Sequence, residues 1–331
     1  MSSETRRGLR IAVTFTAAFV LAELQRSDLQ LTFIAPLIAG MLASGPAVAT
    51  LRLVALPVVA WLLVAAAGVA LQFLSREPVV LMLLSLWVFY LGFRMFEDPR
   101  KATLGLLLLI VFAIVPPTLI KGPELSADLA FWFGMNFSIA VLCEWIMRRL
   151  LPDRAPIEAV ARRPQLPPMV AALALQFAVF LTGTMQPPAP GAVMIGVIIV
   201  LRADGETAEN VIHDRFVAAL LGGATAVIVW EVLWLAPSLP ILATVVLLAA
   251  WPFARRVAAG GPNAGLAMKS LNVVAILMGE GFSVFYEDAD DRIWTRIAGV
   301  VIGLCYAALV LIFSRAIAAA WHRLSSQAAH S

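Results

Sequence analysis

Long apolar runs, separated by short polar segments, recur from one end of the chain to the other. Each run is long enough, or nearly long enough, for a helix to cross the hydrocarbon core of a bilayer, and no gap between them could build a soluble core. The runs lie near residues 9–25, 29–44, 52–74, 78–94, 102–120, 128–148, 168–185, 188–202, 214–235, 238–254, 264–281 and 294–318. The pattern predicts an all-α, polytopic membrane protein with about twelve transmembrane helices.

Similar residues recur in the two halves of the chain at a nearly constant separation. The pairs Cys143/Cys305, Trp132/Trp294 and Arg94/Arg256 are 162 residues apart, and Pro99/Pro262 and Arg52/Arg215 are 163 apart. The sequence therefore predicts two six-helix repeats, residues 1–151 and 168–331, joined by a cytoplasmic linker at 152–167 and followed by a short cytoplasmic tail. An even number of spans gives both copies the same orientation, as in transporters built from parallel repeats.

Composition and charge support a membrane location. The chain is 61% hydrophobic and 14% charged, whereas soluble proteins average roughly half and a quarter. The net charge of +3 comes from basic residues spread over short loops, which argues against a nucleic-acid-binding face. Eighteen of the 24 lysines and arginines fall on one side if the N-terminus is cytoplasmic, and Arg6, Arg7 and Arg10 then flank the first span. The positive-inside rule thus predicts a multi-pass protein with both termini in the cytoplasm.

The second and eighth spans are short for a bilayer and are interrupted by proline. Pro36 lies within the second span, and the sequence from Pro187 to Gly191 opens the eighth. Gly279-Glu280-Gly281 similarly ends the eleventh. Short interrupted segments at matching places in two halves point to a transport site, because unwound backbone there can line a wet cavity. Tilted or interfacial helices are the alternative interpretation.

Enzyme motifs are absent from the sequence. No Walker loop, HExxH, paired CxxC or nucleophile elbow occurs, and the histidines His213, His322 and His330 lie at loops or in the tail. Cys143 and Cys305 fall within apolar helices, which indicates packing and not a disulfide or a metal site. We therefore expect no enzymatic activity, no cofactor and no metal.

Ionisable residues inside a membrane are costly, so each of them is a candidate for function. Arg52 and Arg215 open the third and ninth spans, Lys269 lies inside the eleventh with Asn272 on the same helix face, and Arg296 opens the twelfth. Together these residues could form a basic ladder that guides and binds an organic anion. For the three arginines, the alternative is a side chain that extends to the lipid headgroups.

Among the acidic residues, Glu231 lies in the ninth span between apolar neighbours and has no obvious local cation. Burial favours the protonated form of a carboxyl group, so Glu231 is the predicted proton-coupling residue. Glu144 has Arg148 four residues later on the same helix face, which predicts a structural ion pair. Trp230 and Trp234 are interpreted either as part of an interfacial belt or as a stacking surface for an aromatic substrate.

A short motif suggests a family. Arg296 is followed by glycine three and seven residues later, Arg215 keeps only the second of these glycines at Gly222, and Arg52 keeps the arginine alone. This pattern resembles the signature of the fusaric acid resistance superfamily, here as a compact branch without large soluble domains. The resemblance implies efflux of aromatic carboxylic acids across the bacterial inner membrane, beside a periplasmic membrane-fusion subunit of the HlyD type. Plant aluminium-activated malate transporters, which are anion channels, resemble the same unit.

The leading hypothesis is a proton-coupled exporter of small, aromatic organic acids in the bacterial inner membrane. Its partners would be a small organic anion, the lipid bilayer and a HlyD-type membrane-fusion protein, and a homo-oligomer is compatible with the repeats. An organic-anion channel and a non-transporting scaffold for an efflux assembly are the alternatives. Because Lys269, Arg296 and Glu231 have no charged counterparts in the first half, we expect mutations in the second half to impair transport more.

Overall fold

The computed structural model describes residues 2–25, 32–45, 50–74, 76–98, 101–119, 123–152, 166–185, 190–201, 208–281, 298–299, 301–303 and 305–314. Helices account for nearly all of these residues, and this part of the chain contains no β-strand. The predicted all-α class is therefore confirmed for the residues described.

The helices follow the predicted spans closely. They are α1 (Ser3–Glu23), α2 (Ile34–Ser44), α3 (Thr50–Leu74), α4 (Pro78–Met95), α5 (Ala102–Leu119), α6 (Pro123–Leu150), α7 (Pro168–Met185), α8 (Pro190–Leu201), α9 (Ala208–Leu235), α10 (Leu239–Ala259), α11 (Ala264–Gly281) and α12 (residues 298–299, 301–303 and 305–314). The predicted bounds of α7 and α11 coincide with the observed ones, whereas α1 and α9 begin about six residues earlier than predicted.

In the part of the chain that the structure describes, three helical segments are long and apolar enough to cross a membrane: Pro168–Met185, Phe216–Leu235 and Leu239–Ala259. Six shorter apolar helical segments accompany them within the described residues. The three long segments indicate a membrane protein, because a soluble fold has no need of such long apolar helices with fewer than half of their residues buried. The total of twelve spans stays a prediction.

Local sequence accounts for several helix ends. Ser2 caps α1, with its hydroxyl accepting a hydrogen bond from the Thr5 backbone N–H at 3.1 Å. Pro78 occupies the first turn of α4, where a missing backbone N–H costs nothing. Between α10 and α11, Gly260 and Gly261 adopt φ values of 75° and 80°, which favour glycine over any other residue.

The chain forms two compact units, and each takes helices from both halves of the sequence. Unit 1 comprises Met1–Gln72, Thr118–Ala159 and Asp214–Ile297, and unit 2 comprises Phe73–Pro117, Val160–His213 and Ala298–Ser331. Unit 1 therefore holds α1, α2, α3, α6, α10, α11 and most of α9. The compact units and the proposed repeats are thus different divisions of the chain.

Within unit 1, α1 is the central helix. It packs against α10, α2 and α6, and its apolar face is buried at Ile11, Phe15 and Phe19. The crossing with α10 is close at Gly8, where an added Cβ would lie 3.2 Å from the Arg255 Cα. The helix α2 also contacts α6 and α11, so other helices surround it.

Unit 2 is held together by α7, which packs against α4 and α8. The Tyr306 hydroxyl of α12 donates a hydrogen bond to the Ala174 carbonyl of α7 at 2.7 Å. At Gly303, an added Cβ would lie 2.5 Å from the Val193 carbonyl oxygen, so glycine permits α12 to approach α8 closely. Gly303, the second glycine after Arg296 in the arginine–glycine motif, therefore allows close packing of two helices.

Large apolar side chains are exposed along single helix faces. On α4 these are Val79, Leu83 and Trp87, and on α3 they include Val58, Leu62 and Val69. The spacing of three to four residues places each set on one stripe of its helix. Such stripes suit contact with lipid acyl chains.

Candidate functional site

The short helix α2 lies inside unit 1. Its eleven residues extend about 16 Å, which is roughly half of the 30 Å hydrocarbon core. Nine of the eleven residues are buried, from Ile34 through Gly40 and then Leu42 and Ala43. Pro36 was expected to break this span, but it lies in the first turn of α2, where proline is tolerated. The helix is therefore an enclosed half-helix.

Three arginines bind the carbonyl groups at the C-terminal end of α2. The hydrogen bonds run from Arg148 Nη2 to Leu42 O at 3.3 Å, from Arg10 Nη2 to Ala43 O at 2.9 Å and from Arg7 Nη2 to Ser44 O at 2.9 Å. Helix ends leave their last carbonyl groups without intrahelical partners and carry partial negative charge. The guanidinium groups of α1 and α6 donate hydrogen bonds to these carbonyl groups, and their positive charge offsets the partial negative charge of the helix end.

A buried carboxylate completes this arrangement, which we call the α2 cap: Arg7, Arg10, Glu144 and Arg148. Glu144 Oε1 accepts a hydrogen bond from Arg148 Nε at 2.8 Å and lies 2.7 Å from Arg148 Nη2 in an ion pair. The side chain of Glu144 is fully buried, and so is that of Arg10. The predicted Glu144–Arg148 ion pair is confirmed. Arg7 and Arg10, interpreted from the sequence as the cytoplasmic flank of the first span, also bind the end of α2, and their cytoplasmic location stays a prediction.

The N-terminal end of α2 is fixed by α11. The Thr32 hydroxyl donates a hydrogen bond to the Gly279 carbonyl, and Thr32 is buried. Gly279 itself lies against the Phe33 backbone so closely that no side chain fits there. The glycine that ends the eleventh span in the sequence is therefore required by packing against α2. Both ends of the half-helix are thus held by neighbouring helices.

A second ion pair joins α11 to α9. Lys269 Nζ lies 2.8 Å from Asp214 Oδ2, and 18% of the lysine side chain and 32% of the aspartate side chain are exposed. A partly exposed pair of this kind contributes about 0–1 kcal/mol to stability. Removing one partner of a buried pair such as Glu144–Arg148 costs roughly 3–5 kcal/mol. The α2 cap is therefore a structural element, while the Lys269–Asp214 contact is the weaker and more accessible of the two ion pairs.

A glycine sets the distance between α9 and α11. An added Cβ at Gly222 would lie 2.7 Å from the Ser270 carbonyl oxygen and from Val273 Cβ. At the next residue, Gly223, the nearest atom would be Leu277 Cδ1 at 3.8 Å. Close contact at Gly222 brings the two backbones together, so that Asp214 can reach Lys269.

The structure places the other predicted site residues apart from this pair or outside its described part. Asn272 lies one turn beyond Lys269 on α11 and is half-buried. Arg52 lies in α3 and Arg215 in α9, but their side chains are outside the described part, as is the whole of Arg296. The basic ladder therefore stays a prediction, and Asp214 is the partner of Lys269 that the sequence interpretation missed.

Glu231 does not occupy the buried position expected of it. Its side chain is exposed on α9, while its neighbour Trp230 is buried and lies 6.1 Å from Trp234, between ring centroids. Because Glu231 lies within the apolar segment Phe216–Leu235, its exposed position does not test the proton-coupling role, which stays a prediction. Of the two cysteines, Cys143 is buried as packing requires, whereas Cys305 is exposed.

Among the residues described, no group of three or more histidine, cysteine, aspartate or glutamate side chains could hold a metal ion. The described lysine and arginine side chains of unit 1 are groups that can bind anions. No family model, no curated protein and no solved structure matches the chain. The resemblance to the fusaric acid resistance superfamily stays a prediction.

Proposed function

We propose that this chain is a transporter of the bacterial inner membrane that exports small organic anions, with aromatic carboxylates as the preferred cargo. The enclosed half-helix α2 carries the proposal. Discontinuous, half-length helices held within a membrane bundle surround the substrate sites of many transporters. A helix of this length inside an apolar chain has no role in crossing the bilayer, and both of its ends are fixed by neighbours.

The proposal includes two six-helix copies and twelve spans, which the helix bounds support. Ala102–Leu119 and Ala264–Gly281 each contain 18 residues and begin 162 residues apart. The helices α4 and α10 both have proline within their first two positions. In unit 1, α6 packs beside α1 and α2, and in unit 2 α12 contacts α7 and α8 in the same way.

In the proposed topology, both termini are cytoplasmic, and the candidate site opens toward the cytoplasm. Arg7 and Arg10 then lie at the cytoplasmic start of α1, and Arg255 and Arg256 lie at the end of α10 just before α11. Lys269 is five residues, about 7.5 Å, into α11. An anion leaving the cytoplasm would therefore meet Lys269 early.

A transport assay tests the proposal. The purified full chain is reconstituted into liposomes loaded with radiolabelled benzoate, and efflux is followed under an imposed membrane potential. We expect efflux from wild-type liposomes, and Lys269→Met should reduce its rate at least tenfold, because a desolvated carboxylate needs a charge partner. Asp98→Asn, which breaks an exposed pair with Lys101 at 3.6 Å, serves as control and should transport normally. Efflux no faster than from protein-free liposomes would refute the proposal.

The same liposomes separate coupled export from channel activity. In a proton-coupled exporter, an imposed pH gradient drives benzoate against its own concentration gradient, whereas in a channel only the benzoate gradient and voltage matter. A variant of Glu231 separates the two further. Glu231→Gln should abolish accumulation driven by the pH gradient if this residue carries the proton, and it should leave efflux unchanged in a channel. A scaffold for a HlyD-type membrane-fusion protein would show no benzoate efflux at all.

A further inference from the structure

Within the described residues of unit 1, the ion pairs Glu144–Arg148 and Lys269–Asp214 differ in their exposure. Glu144 is fully buried beside Arg148, whereas both Lys269 and Asp214 are partly exposed. Water and small ions compete for an exposed pair, so its partners exchange readily. Of these two pairs, Lys269–Asp214 is therefore the one whose carboxylate can be exchanged with less disturbance to the packing of the helices.

The chemistry of Asp214 matches that of the proposed cargo. Its Oδ2 atom contacts Lys269 Nζ at 2.8 Å, the distance of a charge-assisted hydrogen bond. A carboxylate of a small organic acid is the same functional group and can make the same bond. The two side chains come from different helices, α9 and α11, and are 55 residues apart in sequence. Displacing Asp214 therefore leaves Lys269 in place on α11.

We propose that Asp214 is an internal competitor for Lys269: a small monocarboxylate binds the lysine by displacing Asp214, and Asp214 displaces the cargo again when it is released. This inference rests on the proposed function. It adds a role for the Asp214 carboxylate, which releases the bound anion from Lys269. Lys269 is the binding residue, and Asp214 acts through it.

The arrangement also restricts the cargo. After displacement, Asp214 remains tethered to α9 next to the site, and its negative charge repels any second carboxylate on the ligand. A monocarboxylate such as benzoate has a single negative charge, and Lys269 neutralises that charge. A dicarboxylate such as phthalate carries an additional charge without a partner. Asp214 thereby favours monocarboxylates.

Benzoate and phthalate efflux from proteoliposomes tests the inference, using the full chain and the variants Asp214→Asn, Asp214→Glu and Asp98→Asn. In Asp214→Asn the competitor is lost, so the KM for benzoate should fall roughly fivefold, and the maximal rate should fall as well because release slows. The rate of phthalate relative to benzoate should rise. Asp214→Glu keeps the carboxylate and should retain the preference for benzoate, and Asp98→Asn should behave as wild type.

The outcomes separate this inference from the proposed function. Benzoate efflux by the wild type, combined with an unchanged or raised KM in Asp214→Asn, would show that Asp214 only supports the fold and would overturn the inference alone. Loss of the benzoate preference in Asp214→Glu would do the same, even if Asp214→Asn does not fold. An absence of wild-type efflux would overturn the proposed function and this inference with it.

Discussion

At the scale of single residues, the α2 cap shows how charged groups become tolerable inside an apolar unit. A buried guanidinium group needs acceptors for its N–H groups and a compensating negative charge. The carbonyl groups at the end of α2 supply the acceptors, and Glu144 supplies a full negative charge. The opposite charges and hydrogen bonds therefore offset the desolvation cost of burying these groups, and they fix the C-terminal end of α2.

Neutralising the buried carboxylate should destabilise the protein far more than neutralising an exposed one. Glu144→Gln removes the charge beside Arg148 while keeping the side-chain volume, so we expect a loss of roughly 3–5 kcal/mol in the free energy of unfolding. The matched control, Asp98→Asn, alters an exposed pair and should cost under about 1 kcal/mol. Thermal unfolding of both variants in the same detergent gives the comparison. Equal shifts in Tm would contradict the assignment of the cap as structural.

At the scale of helices, the sequence predicted well where helices lie along the chain, but it predicted poorly which side chains form contacts between helices. Apolar periodicity and length defined α7 and α11 to the residue, because these properties are local. The role of Arg10 was missed, since an arginine at the start of a span looks the same whether it extends to lipid headgroups or binds the end of another helix. Asp214 was missed because its partner lies 55 residues away. Such contacts depend on which helices are neighbours.

The close approach of α9 to α11 predicts that substitution by alanine has different effects at the adjacent glycines Gly222 and Gly223. Gly222→Ala places a methyl group 2.7 Å from the Ser270 carbonyl oxygen, so the helices must separate. Gly223→Ala meets only Leu277 at 3.8 Å and should be neutral or stabilising by up to about 1 kcal/mol, because alanine favours helix. We expect Gly222→Ala to lower Tm and also to weaken benzoate efflux through the Lys269–Asp214 pair. Similar Tm values for the two variants would disprove close packing at Gly222.

At the scale of the whole molecule, both units contain an ion pair in their described parts, but the pair with a fully buried carboxylate lies in unit 1 and the exposed Lys101–Asp98 pair lies in unit 2. Unit 1 holds the α2 cap and the Lys269–Asp214 pair. At the position 162 residues after Glu144, unit 2 has Tyr306, which binds the Ala174 carbonyl group. Both halves of the sequence therefore contribute ion pairs to unit 1. The expectation that mutations in the second half impair transport more stays a prediction, and the α2 cap adds first-half residues whose loss should lower stability.

The distribution of basic residues predicts how the whole chain lies in the membrane. With eighteen of 24 lysines and arginines on one side, moving that side across the bilayer would be strongly unfavourable, and it should remain cytoplasmic. Alkaline phosphatase, which is active only in the periplasm, should be inactive when fused after residue 331 or inserted between residues 153 and 165, and active when inserted between residues 282 and 290. Fluorescent protein fusions at the same sites should give the reverse pattern, which controls for expression. Activity of the phosphatase after residue 331, with inactivity between 153 and 165, would require an odd number of spans in the second half and exclude parallel repeats.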